Sequence, residues 1–160
     1  MNDADVLRRL EERGLELPAP PEPVASYAPV TVAGSLAFVA GQVPIVDGQL
    51  LHPGKLGTSV SVEMGQEAAA LAALQALSAL RHHLGGRLDR VARIAQVTVF
   101  MAADVEFIEH PKVANGASDL LVDLLGPEGR HARAAVGVAS LPLGSSVELV
   151  MTAELSADRV

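Results

Sequence analysis

The sequence predicts an α+β domain in which a single sheet carries two helices on one face. Three observations lead there. β-like segments precede, separate and follow two helical stretches, in the order βββ-α-β-α-ββ. The longer helical stretch contains "EAAALAALQALSAL", and its many alanines let a helix lie close on a sheet. The 160 residues suffice for one domain with its own core, and no internal repeat runs along them.

Each element follows from local signals. Residues 3–13 predict a short helix, with Val6, Leu7 and Leu10 on one face, Asp3 as its cap and Gly14 as its end. "LPAPPEPVAS" then reads as an extended, partly polyproline-like linker. The expected organisation is a helix and Pro-rich linker over 1–22, an appendage to a domain over 23–156. "APVTVA" and "SLAFVAG" flank Gly34-Ser35 as a hairpin, and Asp47-Gly48 marks a second turn. From Ser61, a suitable N-cap, the pattern is helical to Leu84, and Gly85-Gly86 stops it. Leu71, Leu74, Leu77 and Leu84 form its expected core stripe. "RIAQVTVFMA" is a buried strand, and 111–125 a second helix ended by Gly126-Pro127. Strands over about 132–139 and 146–154 follow, joined by the turn "SLPLGS", and are expected to be hairpin neighbours. A sheet covered on one side leaves a bare side, and with few charges in its strands that side is expected to meet another subunit.

Composition removes several function classes. There is no cysteine, which excludes disulfides, thiolate metal sites and cysteine nucleophiles and fits a reducing, cytoplasmic interior. The first ten residues lack an apolar core and do not read as a signal peptide. The alanine-rich stretch carries Glu67, Gln75 and Ser78 and reads as a buried helix, so no membrane partner is expected. A net charge of −7 with no Lys/Arg cluster, and 2% aromatics, argue against a nucleic-acid partner. The five histidines show no metal-ligand spacing, no nucleotide-binding or serine-hydrolase motif occurs, and neither metal nor cofactor is expected.

The residues that stand out are few. Along 132–139 alternation puts Arg133 on one face with Ala135, Gly137 and Ala139. A guanidinium above small residues either grips a ligand carboxylate side-on or is a strand-end arginine in solvent or in an ion pair. Glu148 is either a general base or water-holder beside Arg133, or a surface carboxylate. In "FVAGQVP", Gly41 either lets a ligand approach backbone N–H groups or serves a bulge or turn. His131, just before the strand, lines the mouth of such a pocket or is a solvated loop histidine.

"ASYAP", "FVAGQVP", "VTVFMA", "HARAAVGVASLP" and "VELVMTAEL" resemble, in order and spacing, the YjgF/RidA (Rid, L-PSP endoribonuclease) family over roughly 23–156. The most specific stretch is R-x-A-V-x-V-x-x-L-P, and "NGASDLL" (115–121) resembles a subgroup with an extra N-terminal helix. The resemblance implies a chorismate-mutase-like fold with a six-stranded mixed sheet. It also implies a homotrimer with ligand pockets between subunits, and hydrolysis of 2-imino or enamine acids to 2-oxo acids and ammonia. It assigns Arg133 to the substrate carboxylate, the Gly41 N–H as a donor, and Tyr27 and Asn115 to the pocket lining. Ala40 stands where a serine is common, and Ala135 where a cysteine is. The family's E-x-E reads Glu148-Leu149-Val150, so a valine replaces the water-positioning glutamate. That substitution leaves a non-catalytic metabolite-binding or sensing role as the alternative, with ribonuclease and chorismate mutase activity less supported.

Overall fold

A computed structural model describes residues 1–20 and 26–156. Residues 21–25 of the expected linker lie outside that range. The elements are α1 (Asp3–Glu11), β1 (Val30–Ala33), β2 (Leu36–Gln42), β3 (Ile45–Val46), β4 (Gln49–Leu50) and α2 (Val62–His83). β5 (Val91–Ala102), α3 (His110–Leu125), β6 (Ala132–Val138) and β7 (Val147–Leu155) complete them. The main sheet has five strands in the order β1-β2-β7-β5-β6, and β3 and β4 pair as a separate hairpin. One sheet of five strands and a satellite of two thus stand in place of six in one sheet. The difference arises at Asp47-Gly48, where positive φ angles of 50° and 77° close a tight turn and take two short strands out of the sheet.

The connection between β6 and β7 departs from expectation. The two strands are not hairpin neighbours: β5 lies between them, parallel to β6 and antiparallel to β7. β6 reaches its place after α3, as a crossover into a parallel pair requires. Register then decides what faces what. Arg133, Ala135 and Gly137 stand beside Val97, Val99 and Met101 on the helix-covered side, whereas Glu148 and Val150 stand beside Phe100 and Thr98 on the other.

α2 begins with Ser61 accepting a hydrogen bond from the Met64 N–H and stops at Gly85 and Gly86, both at positive φ. Its core face is mostly alanine: Ala68, Ala69, Ala72, Ala73, Ala76 and Ala79 are buried with Leu74, Leu77 and Leu80, while Leu71 and Leu84 are half-buried. α3 comes close enough to α2 that Gly116 lies against the Gln66 backbone.

α1 is docked, with Val6 and Leu10 in the same buried cluster as the sheet. Its cap is Asn2, whose side chain accepts from the Asp5 N–H, and not Asp3. Asp3 instead turns inward. Its two carboxylate oxygens each take a 2.9 Å hydrogen bond from Arg81, and Oδ1 also accepts from the Leu88 N–H at 3.0 Å. Arg9 donates to the Leu124 carbonyl at the end of α3.

The sheet face away from α2 and α3 carries Phe38, Thr98, Phe100, Val136, Val150 and Thr152, with the Arg93–Glu154 pair at one end and Glu148 at the other. Phe38 is 43% exposed. Among the described residues no helix is long and apolar enough to cross a membrane.

Candidate functional site

The chemistry-bearing residues fall into two groups. The first gathers at the edge strand β6 where α3 runs past it. On α3, Asn115 and Ser118 are three residues apart and share a face. Both accept hydrogen bonds from Nη1 of Arg133, Asn115 Oδ1 at 2.8 Å and Ser118 Oγ at 3.1 Å. A guanidinium has five N–H donors, and these two bonds use only the Nη1 end. The Nε/Nη2 edge, the one that matches a carboxylate side-on, faces no acidic partner among the described residues. Neutral acceptors therefore orient the cation without neutralising it.

Beside Arg133 opens a cavity of ≈ 590 Å³, lined by Ser118, Asp119, Val122, Asp123, Arg130 and His131 together with Arg133 itself. His131 is half-buried, and its Nδ1 lies 2.7 Å from the Gly129 carbonyl and its Nε2 3.0 Å from Ser118 Oγ. Burial holds its ring below the usual histidine pKa, and the nearby Arg133 charge acts the same way against the opposing Gly129 bond. It is thus a wall of the pocket and not a free loop side chain. The sequence named Arg133, Asn115 and His131. Ser118 was missed, although its spacing from Asn115 on a helix was the available signal.

The second group sits across the sheet. β2 has a register irregularity between Val39 and Gln42, and this bulge contains Ala40 and Gly41. Glu148 on β7 fills the place where a Gly41 side chain would be: a Cβ there would lie 2.9 Å from Glu148 Cδ and closer still to Oε1. A side chain at position 41 would displace the Glu148 carboxylate from this place. Burial raises the Glu148 pKa above the usual carboxylate value. Tyr27, before β1, is 50% exposed. Ala135, two residues beyond Arg133 on the same face, packs on the core.

The expected Arg133–Glu148 partnership does not form within one chain. β5 separates their strands, and the two side chains leave the sheet on opposite faces. Among the described residues no cluster of three or more His, Cys, Asp or Glu side chains suits a metal ion.

A five-stranded mixed sheet with two helices on one side, a bulged β2, and an arginine at the start of a parallel edge strand define a chorismate-mutase-like α+β protein. The chain belongs to the family described as "YjgF/chorismate_mutase-like, putative endoribonuclease", whose model matches residues 7–155. It is 43% identical over 152 residues to Protein TCP17 of Trypanosoma cruzi, covering 94% of each chain. The protein Atu1372 of Agrobacterium tumefaciens superposes with a TM-score of 0.91 at 40% identity, over 96% of this chain and 94% of that one. A "putative endoribonuclease" of Shewanella oneidensis superposes with a TM-score of 0.89 at 36% identity, over 94% and 99%. The family match begins inside α1, in keeping with a helix that shares the core.

Proposed function

We propose that this protein binds small carboxylate-bearing metabolites at Arg133 and hydrolyses reactive 2-imino or enamine acids there to 2-oxo acids and ammonia. The observation that carries this is the Nε/Nη2 edge of Arg133, unpaired among the described residues, with the guanidinium held by Asn115 and Ser118 on the wall of a cavity. A side-on guanidinium–carboxylate pair is short, charge-assisted and planar, so it sets substrate orientation as well as affinity.

The working unit in this proposal is a homotrimer, acting in the cytoplasm. Arg133 and the Gly41–Glu148 pair are separated by the sheet within one chain, so a complete pocket needs the second group from a neighbouring copy. The uncharged face around Phe38, Phe100 and Val150 favours such an association, because apolar surface of this kind is normally covered.

Val150 favours a second role, metabolite binding without turnover. Valine cannot hold or activate water, and Glu148, two residues along the strand, is displaced by about 6.5 Å. Both roles are tested together. An amino-acid oxidase or dehydratase generates the imine in situ, and a trapping reagent measures its clearance. Thermal stabilisation by 2-oxo acids reports binding, since a ligand selective for the folded state raises its stability. Turnover and stabilisation are expected in the wild-type protein, with both lost in Arg133→Ala and turnover raised in Val150→Glu. Stabilisation without turnover selects the binding role; stabilisation that persists in Arg133→Ala refutes the site.

A further inference from the structure

We propose that His131, acting through Ser118, is the proton acceptor of the Arg133 site. This rests on the reading of Arg133 as the substrate-carboxylate anchor. It supplies the half of the chemistry that Val150 leaves vacant, from a residue on the same chain and the same side of the sheet as Arg133.

The direction of every hydrogen bond in the chain can be deduced. The Gly129 carbonyl only accepts, so His131 Nδ1 carries a proton and donates to it at 2.7 Å. In the neutral ring this leaves Nε2 as a bare acceptor, 3.0 Å from Ser118 Oγ. Arginine only donates, so the 3.1 Å bond from Arg133 Nη1 occupies a lone pair of the same Oγ. Ser118 must then place its own proton on His131 Nε2. One Oγ lone pair remains, and Ser118 lines the cavity. The result is a directed path from the cavity through the Ser118 hydroxyl to an imidazole whose tautomer is set by a backbone carbonyl.

The surroundings keep the imidazole neutral and therefore available to accept a proton. Arg133, at the start of the strand that follows, opposes its protonation, and Arg130 borders the same cavity. Asp119 and Asp123 from α3 line the same cavity, and the Asp123 carboxylate is held by Arg13 at 3.0 Å. Burial is the larger cause of the lowered pKa, with the Arg133 charge adding to it against the Gly129 bond.

With a 2-iminium acid held by Arg133, water adds through its oxygen to the C=N carbon, and the π pair moves to nitrogen. The water proton passes to Ser118 Oγ as the Ser118 proton moves to His131 Nε2, leaving a carbinolamine and an imidazolium. The imidazolium returns that proton along the same path to the amine nitrogen. The C–N bond then breaks as the hydroxyl oxygen forms the carbonyl, and the hydroxyl proton passes to the departing ammonia, releasing ammonium and the 2-oxo acid. One water is consumed, nothing is oxidised or reduced, and the relay ends as it began.

The test separates binding from proton transfer. Imine clearance and 2-oxo acid binding by calorimetry are measured from pH 5 to pH 8 in wild type, His131→Gln, Ser118→Ala and Arg133→Ala. Wild-type kcat/KM is expected to fall on the acid side with a midpoint below the ordinary histidine value. Gln can still accept from Ser118 but does not titrate, so His131→Gln should lose that acid limb and about 10²-fold or more in kcat. Its Kd for the 2-oxo acid should stay within about threefold of wild type, and Ser118→Ala should lose kcat similarly. Arg133→Ala should lose binding, and its failure to do so would overturn the anchor and the relay with it. The relay alone is overturned if binding requires Arg133 while His131→Gln keeps wild-type kcat and its acid limb. Absence of wild-type turnover with intact binding overturns it too.

Discussion

Gly116→Ala tests how the helix pair positions the site. Gly116 lies on α3 between Asn115 and Ser118, the two residues that hold Arg133. A methyl there would sit 2.7 Å from both C and Cα of Gln66 on α2, and closer to its carbonyl oxygen. These are backbone atoms, so no side-chain rotation relieves the clash and the helices must separate. Overpacking of this kind costs about 1–3 kcal/mol, and the absence of a rotamer escape puts this site at the upper end. The better helix propensity of alanine returns about 1 kcal/mol. The net destabilisation is about 2 kcal/mol, or a melting-temperature loss of about 4–8 °C for a domain of this size. Differential scanning calorimetry measures it. The displacement of Asn115 and Ser118 should also weaken 2-oxo acid binding in the folded protein. A variant as stable as wild type, with unchanged affinity, would refute the close approach of α2 and α3 as the device that sets Arg133.

Two further substitutions probe the rest of the framework. Asp3→Ala removes both carboxylate bonds to Arg81 and the acceptor of the Leu88 N–H, and denaturant unfolding should show a loss of about 2–3 kcal/mol, with Asp3→Asn intermediate. Glu148 has its folded-state pKa raised by burial, so the folded state holds that proton more tightly than the unfolded one. Its contribution to stability therefore falls as pH rises from the ordinary carboxylate value through the folded one. Glu148→Gln should melt above wild type at pH 7, with the difference closing toward pH 4 in thermal scans.

Most elements and the faces of their strands were legible in the residues alone. Local signals sufficed for that: Ser61 and Gly85-Gly86 bound α2, Asp47-Gly48 closes a turn, and alternation around Arg133 and Glu148 shows which neighbours share their faces. The sequence also singled out Arg133 and Gly41, because a cation among small residues and a glycine in a strand are unusual wherever they fall, while Asn115 was named only through the family resemblance. The tertiary structure alone decided which strands are neighbours. Parallel pairing of β6 with β5 is a long-range choice that the short "SLPLGS" turn does not announce, and it sends Arg133 and Glu148 to opposite sides of the sheet. The same long-range packing turned Asp3 from a presumed helix cap into the partner of Arg81, 78 residues away. It also showed that Gly41 makes room for Glu148, and it brought Ser118 and His131 into line behind Arg133. Local propensity acts over a few residues, and contacts of this span are set by how the helices and the sheet share one core.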